Sequence, residues 1–510
     1  MRIATACLQC RDAKIRCKTA SGSTGCLQCS KRGTACSLVV KQQHDTLPRH
    51  NSETLLPSLE DRIQIVDLYL RNVHDKPHTL FHEPTLRRQV AQDALCGKIL
   101  YALLSLGARF APKSNVDARR AAFAAESRRL LKEDLEHASL ENVQASLLNS
   151  EFFVGEGNHE AEAIYFAIAV RMSQYLRLDQ QRPKDNAVTR ETRLRVWWST
   201  YIVDLWVSSG FDLSRNISSD TLPSLPMAED AFKLLKPDDP QSSMQQRPVG
   251  IWTYICQLSP SFAKINQLHH TLVRGHFQND KIELLVLEIA ADFDHFASNL
   301  PTQLQLTHDN LRSHAERGEG QTFVALHLAF FHYSTLLYYH YLDRPRPAPA
   351  IDQVFAERCK NYAIALSELI EITMVLSGCE ALYVVVGHLT IVSSSVLLHT
   401  LLFGNEIQLP QARHHLQINF KKLLELSRFW PVVEKEKDKL FLFQDACLQS
   451  LQAHRMDAWM VKFLLNYALP LENRLPDGAE SSTVPAWHST LSERTMETTK
   501  ALSTLRQQIP

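Results

Sequence analysis

The chain has 510 residues, of which 45% are hydrophobic and 22% charged, and its 55 Lys plus Arg balance 55 Asp plus Glu. This excludes a disordered or collagen-like chain, and the length exceeds what one hydrophobic core usually serves. Glycine is scarce, 16 residues or about 3% against roughly 7% in average usage, so a turn-rich all-β architecture is excluded and helix is expected.

Charge is distributed unevenly along the chain. Residues 1–50 carry nine Lys or Arg against Asp12 and Asp45, a net +7, which leaves −7 on the remainder. A small basic head on a mildly acidic body calls for an anionic partner at the head, with nucleic acid first in line. Six of the 11 cysteines fall within the first 36 residues, and Cys96, Cys256, Cys359, Cys379 and Cys447 are scattered. No apolar run opens the sequence, so a secretory leader is not expected. Clustered thiols in such a setting read as metal ligands rather than disulfides, and the scattered five as small buried hydrophobes.

The head is an internal repeat: Cys7, Cys10 and Cys17 recur at the same intervals as Cys26, Cys29 and Cys36, and each half opens Cys-Leu-Gln-Cys. Structural zinc takes four thiolates in a tetrahedron. Two zincs need eight ligand positions while six sulfurs are present, so two sulfurs must bridge. A redox pair would require a βαβ context, which is absent here, and a metal-storage cluster would not need basic residues between its thiols.

The spacing Cys7-x2-Cys10-x6-Cys17-x8-Cys26-x2-Cys29-x6-Cys36 resembles the fungal zinc binuclear cluster transcription factors. The resemblance implies two zinc ions per chain, with Cys7 and Cys26, the first cysteine of each half, as the bridges. Two departures from the family pattern are Ala13, where a basic residue is usual, and Thr24-Gly25, where a proline is frequent. Neither touches a ligand.

The two halves differ in charge. The first runs Arg11-Asp-Ala-Lys14-Ile-Arg16-Cys17-Lys18, the second Ser30-Lys31-Arg32-Gly33. A short helix from about Leu8 would place Arg11, Lys14 and Lys18 on one face. By resemblance, Lys14 occupies the lysine that enters the major groove and donates to guanine O6 and N7. Arg11, Arg16, Lys18, Lys31 and Arg32 would then hold phosphates. Two Zn²⁺ with six thiolates contribute −2, so the loaded head keeps about +5.

Residues 37–57 lack periodicity and carry Pro48 and Pro57, as a linker would. The apolar steps Leu56, Leu59, Ile63, Val66, Leu70 and Val73 are too few for a coiled coil. With Ser58 and Asp61 as a capping box, they predict one amphipathic helix docked on the body. Further helices are predicted over 58–73, 86–110, 117–135, 160–177, 189–209, 250–273, 280–298, 321–342, 351–376, 381–403, 411–430 and 438–467. Breaks are expected at 223–226, 236–248, 307–320 and 345–349.

Several stretches resemble the fungal-specific transcription factor domain, an all-helical regulatory region. They are Leu80-Phe-His-Glu-Pro-Thr-Leu86, Ile168 to Leu176, Arg190 to Trp198 with Asp204, and Leu336 to Pro345. Trp197, Trp198, Tyr201 and Trp206 lie at helical spacing and read as core. Asp204 would need a partner if buried, with Arg171 or Arg195 as candidates. Residues 381–403 carry no formal charge over a length that could span a bilayer. His388, His399 and Ser393 to Ser395 favour a helix buried in protein instead. His74, His78 and His82 are spaced by four, but Pro77 and Pro84 spoil a helical ligand face. No Walker loop, nucleophile elbow or zincin motif occurs, so no catalytic residue is assigned.

The expected organisation is therefore a zinc binuclear cluster DNA-binding domain at 1–36, a linker at 37–57, an all-α regulatory domain at 58–475 and a flexible tail at 476–510. The resemblance implies a nuclear, sequence-specific transcription factor of RNA polymerase II genes that reads CGG-type triplets. Its partners would be double-stranded DNA, a second copy or a related factor as dimer partner, the transcription machinery and an unknown small-molecule effector. The rivals are a sensor or enzyme-like helical body carrying a zinc head, and a membrane-tethered factor.

Overall fold

The computed structural model describes residues 17, 26–31, 55–76, 78–112, 115–220, 222–239, 249–274, 279–343, 350–449, 456–474, 494–496, 498–500 and 503. The chain divides into two compact units, Met1–Pro57 and Ser58–Pro510. In the first, a single turn of helix, α1 (Leu27–Lys31), is described.

The second unit is an irregular stack of helices, and among the described residues it holds no strand. Its first half contains α2 (Leu59–Asn72), α3 (Glu83–Ala91), α4 (Gly97–Gly107), α5 (Asn115–Glu133), α6 (Leu140–Glu156), α7 (His159–Tyr175), α8 (Ala187–Gly210) and α9 (Glu229–Leu234). Its second half contains α10 (Ile251–Arg274), α11 (Asn279–Asn299), α12 (His308–Glu316), α13 (Gly320–Tyr338), α14 (Ala350–Val375), α15 (Val386–Phe403), α16 (Leu409–Ser427), α17 (Val432–Gln449) and α18 (Ala458–Leu465).

Helix α2 starts where the sequence places it. Ser58 Oγ accepts the Asp61 amide at 3.2 Å and donates its own hydroxyl to the Asp61 carboxylate at 2.8 Å. Ile65, Val66, Tyr69 and Leu70 are buried, whereas Leu59 and Ile63 of the same apolar series stay exposed. The helix lies so close to α4 that a Cβ on Gly107 would stand 2.1 Å from the Ile65 carbonyl oxygen. Only glycine permits that approach.

Four sequence expectations are corrected. Residues 86–110 are not one helix: α3 ends at Ala91, the chain turns through Asp93 at φ 56°, and α4 restarts at Gly97. The run 438–467 also divides, into α17 and an α18 that Asp457 caps through the Met460 amide. The break expected at 307–320 contains α12, capped by Thr307 Oγ1. Finally, α6 went unread because polar residues face its core side. Asn142 Nδ2 donates to the carbonyls of Asp134 and His137 at 2.8 and 2.6 Å, and Asn149 Nδ2 reaches Ser127 Oγ at 2.9 Å. These bonds make polar burial tolerable, but they hide the apolar period. The breaks at 345–349 and at 240–248 lie outside the described residues.

On α8, Trp197, Trp198 and Tyr201 are buried as core, and Trp206, half-buried, stacks on Phe262 with ring centroids 4.9 Å apart. Asp204 pairs with neither Arg171 nor Arg195. Its carboxylate accepts the Asn216 amide (3.0 Å), the Ile217 amide (2.9 Å) and Asn216 Nδ2 (2.9 Å), which ties the following loop to the helix. Arg195 pairs instead with Glu191, 3.1 Å away on the same helix. Glu191 also accepts the Met227 amide at 2.9 Å. Toward the C-terminus, Arg494 donates to the Gly404 carbonyl at 2.9 Å and Gln444 to Thr499 Oγ1 at 2.7 Å.

Helix α15 is long and apolar enough to cross a membrane, yet 94% of its 18-residue window is buried inside the protein. Its polar side chains find partners on neighbouring helices that lipid could not supply. Ser393 donates to the Ala363 carbonyl at 2.9 Å, Asn419 Nδ2 reaches Ser393 and Ser394 at 3.2 and 3.1 Å, and Ser395 pairs with Tyr339 at 2.9 Å.

Three core histidines share one arrangement: the Nε2 atoms of His269, His327 and His388 lie 2.9, 3.0 and 3.0 Å from the carbonyls of Leu336, Leu304 and Leu464. A carbonyl only accepts, so each Nε2 carries a proton, and it is burial that keeps the rings neutral. Burial pushes their pKa values from 6.5 down to about 4, 4 and 3. The unfolded chain binds protons below about 6.5 that the folded chain refuses, so these groups contribute stability above that pH and lose it as pH falls toward 4. The body is therefore expected to lose up to about 1.4 kcal/mol per pH unit for each histidine below pH 6.5. Urea titrations across this window check the slope, and His327→Gln, which keeps a donor but cannot titrate, should lose less stability than wild type.

Candidate zinc and DNA-binding site

In the head, α1 brings two of the sequence-assigned ligands together. Cys26 and Cys29 flank the start of this turn, and both are buried, at 0% and 2% exposure. The Cys29 backbone N–H donates to Cys26 Sγ at 3.4 Å. The spacing causes this: two intervening residues are one turn, which aims the amide of the second cysteine at the sulfur of the first. An N–H directed at sulfur favours the thiolate, which is the form that ligates metal. The donor set therefore fits a thiolate metal site, with Cys26 Sγ as the hydrogen-bonded sulfur.

Cys17 is half-buried, and Lys31, the last residue of α1, is exposed where a phosphate could reach it. Cys7, Cys10 and Cys36, and with them Arg11, Lys14, Arg16, Lys18 and Arg32, lie outside the described residues, as does the helix expected from Leu8.

The cysteines of the body behave differently. Cys256, Cys359, Cys379 and Cys447 are buried among apolar side chains, whereas Cys96 is exposed, a correction to its reading as core. Burial pushes all four buried thiols up, Cys379 to about 11, so they stay protonated. Among the described residues, no three His, Cys, Asp or Glu groups are arranged to hold a metal ion.

The body also contains a cavity of about 100 Å³ that the sequence did not announce. His78, Ser150, Glu151, Glu162, His388, Glu436 and Tyr467 contribute its polar lining, with Trp206 beside them. The available signal was the glutamate set into the otherwise neutral stretch Ser146 to Val154 of α6. Without the fold, nothing related it to residues 388, 436 and 467.

Comparison with known proteins places both units in families. Residues 5–45 match the fungal Zn(2)-Cys(6) binuclear cluster domain, and residues 66–285 match the fungal specific transcription factor domain. A Zn(2)-C6 fungal-type transcription factor of Fusarium oxysporum f. sp. lycopersici is 21% identical over 442 residues, covering 77% of this chain and 46% of that protein. Two uncharacterized transcriptional regulatory proteins of Schizosaccharomyces pombe are similar. One is 24% identical over 54% of this chain and 32% of its own length, the other 23% identical over 74% and 51%. The chain thus spans about half the length, or less, of these relatives. With a cysteine hexad at the family spacing, a buried thiol pair to match and a helical body behind it, the chain belongs to the fungal Zn(2)-C6-type transcription factors.

Proposed function

We propose that this protein is a nuclear, sequence-specific regulator of RNA polymerase II transcription whose head binds two zinc ions and reads CGG-type triplets. The observation that carries the reading is the six-cysteine repeat matched to the zinc-cluster family, with Cys26 and Cys29 buried on one turn. Cys7, Cys10, Cys17, Cys26, Cys29 and Cys36 hold the metal, with Cys7 and Cys26 bridging. Zinc supplies the folding energy that so small a head cannot draw from apolar burial. Lys14 reads guanine, and Arg11, Arg16, Lys18, Lys31 and Arg32 neutralise phosphates. The body, with the dimer partner and transcription machinery it engages, converts DNA binding into regulation. The deep burial of α15 speaks against a membrane tether.

Metal analysis of the purified chain should return two zinc ions, and Cys7→Ala should compromise both sites because it removes a bridge. One zinc per chain, or a head that stays folded without metal, overturns the two-metal reading.

Lys14→Ala should weaken binding to the preferred site by roughly 1–3 kcal/mol and flatten discrimination among triplets. Arg32→Ala should weaken all sequences alike and reduce the salt dependence by about one unit of slope. Binding across a panel of triplets at two salt concentrations separates these outcomes.

A triplet recurs about once per 32 positions on either strand, far too often against roughly a million competing genomic sites. Two heads on one DNA site are therefore required, and dimer geometry sets the spacing between triplets. Residues 1–57 alone should bind more weakly than the full chain and show little preference for triplet spacing. Equal affinity and spacing preference in the two would remove the body from pairing.

A further inference from the structure

The cavity in the helical body lies where α6, α7, α8, α17 and the start of α15 converge, with Tyr467 following α18. Its wall is aliphatic over most of its area: Leu147, Val154, Ile202, Val203, Val207 and Val384 contribute, and Trp206 adds an aromatic face. Set into this wall are the carboxylates of Glu151, Glu162 and Glu436 and the His388 ring, with the donors His78, Ser150 and Tyr467 beside them; Ser150 Oγ already donates to the Glu162 carbonyl at 3.1 Å.

Two of the three carboxylates face a partner within the protein, one as an ion pair and one through hydrogen bonds. Glu151 Oε2 lies 2.9 Å from His78 Nε2. Glu162 accepts the Tyr467 hydroxyl at 2.6 Å and faces His159 Nδ1 at 2.7 Å. The third differs: Glu436 is only 6% exposed, and its Oε2 has no hydrogen-bond partner. That oxygen sits against the backbone of α15, 2.7 Å from where a Cβ on Gly387 would stand, so only glycine leaves room for it. The next residue, His388, spends Nε2 on the Leu464 carbonyl and leaves Nδ1, a lone-pair acceptor, equally unpartnered. The nearby cation offers no relief, because Lys439 Nζ donates to the carbonyls of Asn466 and Tyr467, each at 3.1 Å.

The side-chain donors of the lining, His78, Ser150 and Tyr467, each face a partner within the protein, while Glu436 Oε2 and His388 Nδ1 face none, so the cavity favours an occupant that brings donors. An anionic metabolite would add acceptors where donors are lacking, and a neutral alcohol would bring one donor and no charge. A primary ammonium brings three N–H donors and one positive charge, and an aromatic wall attracts the same cation. Pockets of this composition, mostly apolar with a few convergent polar groups, are where small ligands bind.

We propose that this cavity is the binding site of a small primary amine, whose ammonium donates to Glu436 Oε2 and His388 Nδ1 while its short apolar group lies against Trp206 and the valines of α8. Burial, opposed by the Lys439 charge and aided by that of Glu162, pushes the Glu436 carboxyl up to about 7, and a bound ammonium would favour its ionised form. The cavity is closed on one side by residues 384–388, 436 and 467, which lie beyond the segment that matches the fungal specific transcription factor domain. Regarding the amine as an effector of transcription rests on the function proposed above. The binding itself does not.

The test is calorimetric titration of the full-length, zinc-loaded chain at about pH 8 with benzylammonium, benzyl alcohol and benzoate as probes. Benzylammonium is expected to bind one site per chain, with benzyl alcohol at least about tenfold weaker, about 1.4 kcal/mol, and benzoate silent. Glu436→Gln should reduce benzylammonium affinity by at least about tenfold, and Val203→Trp, which fills the cavity, should abolish it. Helix content by circular dichroism shows whether each variant is folded; if one is not, the other and the ranking of the three probes decide. Absence of saturable binding up to about 10 mM, a Kd limit near 3 kcal/mol of binding energy, overturns the proposal. So does equal binding of the amine and the alcohol, or an unchanged affinity in Glu436→Gln. DNA binding by the same preparation is measured in parallel: amine binding without DNA binding defeats the transcriptional reading alone, and DNA binding without amine binding defeats the cavity site alone.

Discussion

Helix α15 sets the constraint around which the body is arranged. An apolar helix with no charged residue must be covered on all sides, and in water only other helices can do it. Helices α13, α14, α16 and α17 supply that cover. Its few polar groups then determine how each neighbour is seated: Ser393 on the Ala363 carbonyl of α14, Asn419 of α16 on Ser393 and Ser394, and His388 on the Leu464 carbonyl of α18. Burial brings the helices together, and the polar bonds choose the register, since a misplaced helix would leave these groups buried and unpaired.

The same economy of buried polar groups recurs where loops meet the core. Asp204, Glu191 and Glu229 are buried carboxylates, and each accepts backbone amides of a distant segment. Asp204 holds residues 216 and 217, Glu191 holds Met227, and Glu229 accepts the amides of Ile251 and Trp252 at 3.1 and 2.6 Å. Burial raises the Asp204 and Glu229 carboxyls, and the amides oppose that rise. Against this pattern Glu436 stands apart, because no amide, hydroxyl or cation meets its Oε2. The contrast gives the cavity its chemical meaning.

The two units draw their stability from different sources. The body has a continuous hydrophobic core running from Val66 to Leu465. A head of some 40 residues is below the size at which apolar burial suffices, and metal ligation takes its place. Loss of zinc would therefore silence DNA recognition while leaving the helical body folded, and a ligand in the cavity would act on the body without touching the metal.

The sequence alone determined the six-cysteine repeat, the charge asymmetry and the helical class of the body. These are local properties: cysteine spacing is counted along the chain, and an amphipathic period such as that of α2 needs no partner to be visible. Tertiary structure decided the rest. Helix α6 is absent from the apolar pattern because Asn142, Asn149 and Glu151 face inward, which partners outside the helix, such as Asp134, Ser127 and His78, make tolerable. Asp204 chose backbone amides over the nearby arginines for the same reason, since a loop that folds back can offer several donors at fixed geometry while a flexible side chain offers one group. The bare acceptors at Glu436 and His388 became neighbours only when α15 and α17 packed together, because a buried group's partners, or their absence, are set by what surrounds it in space.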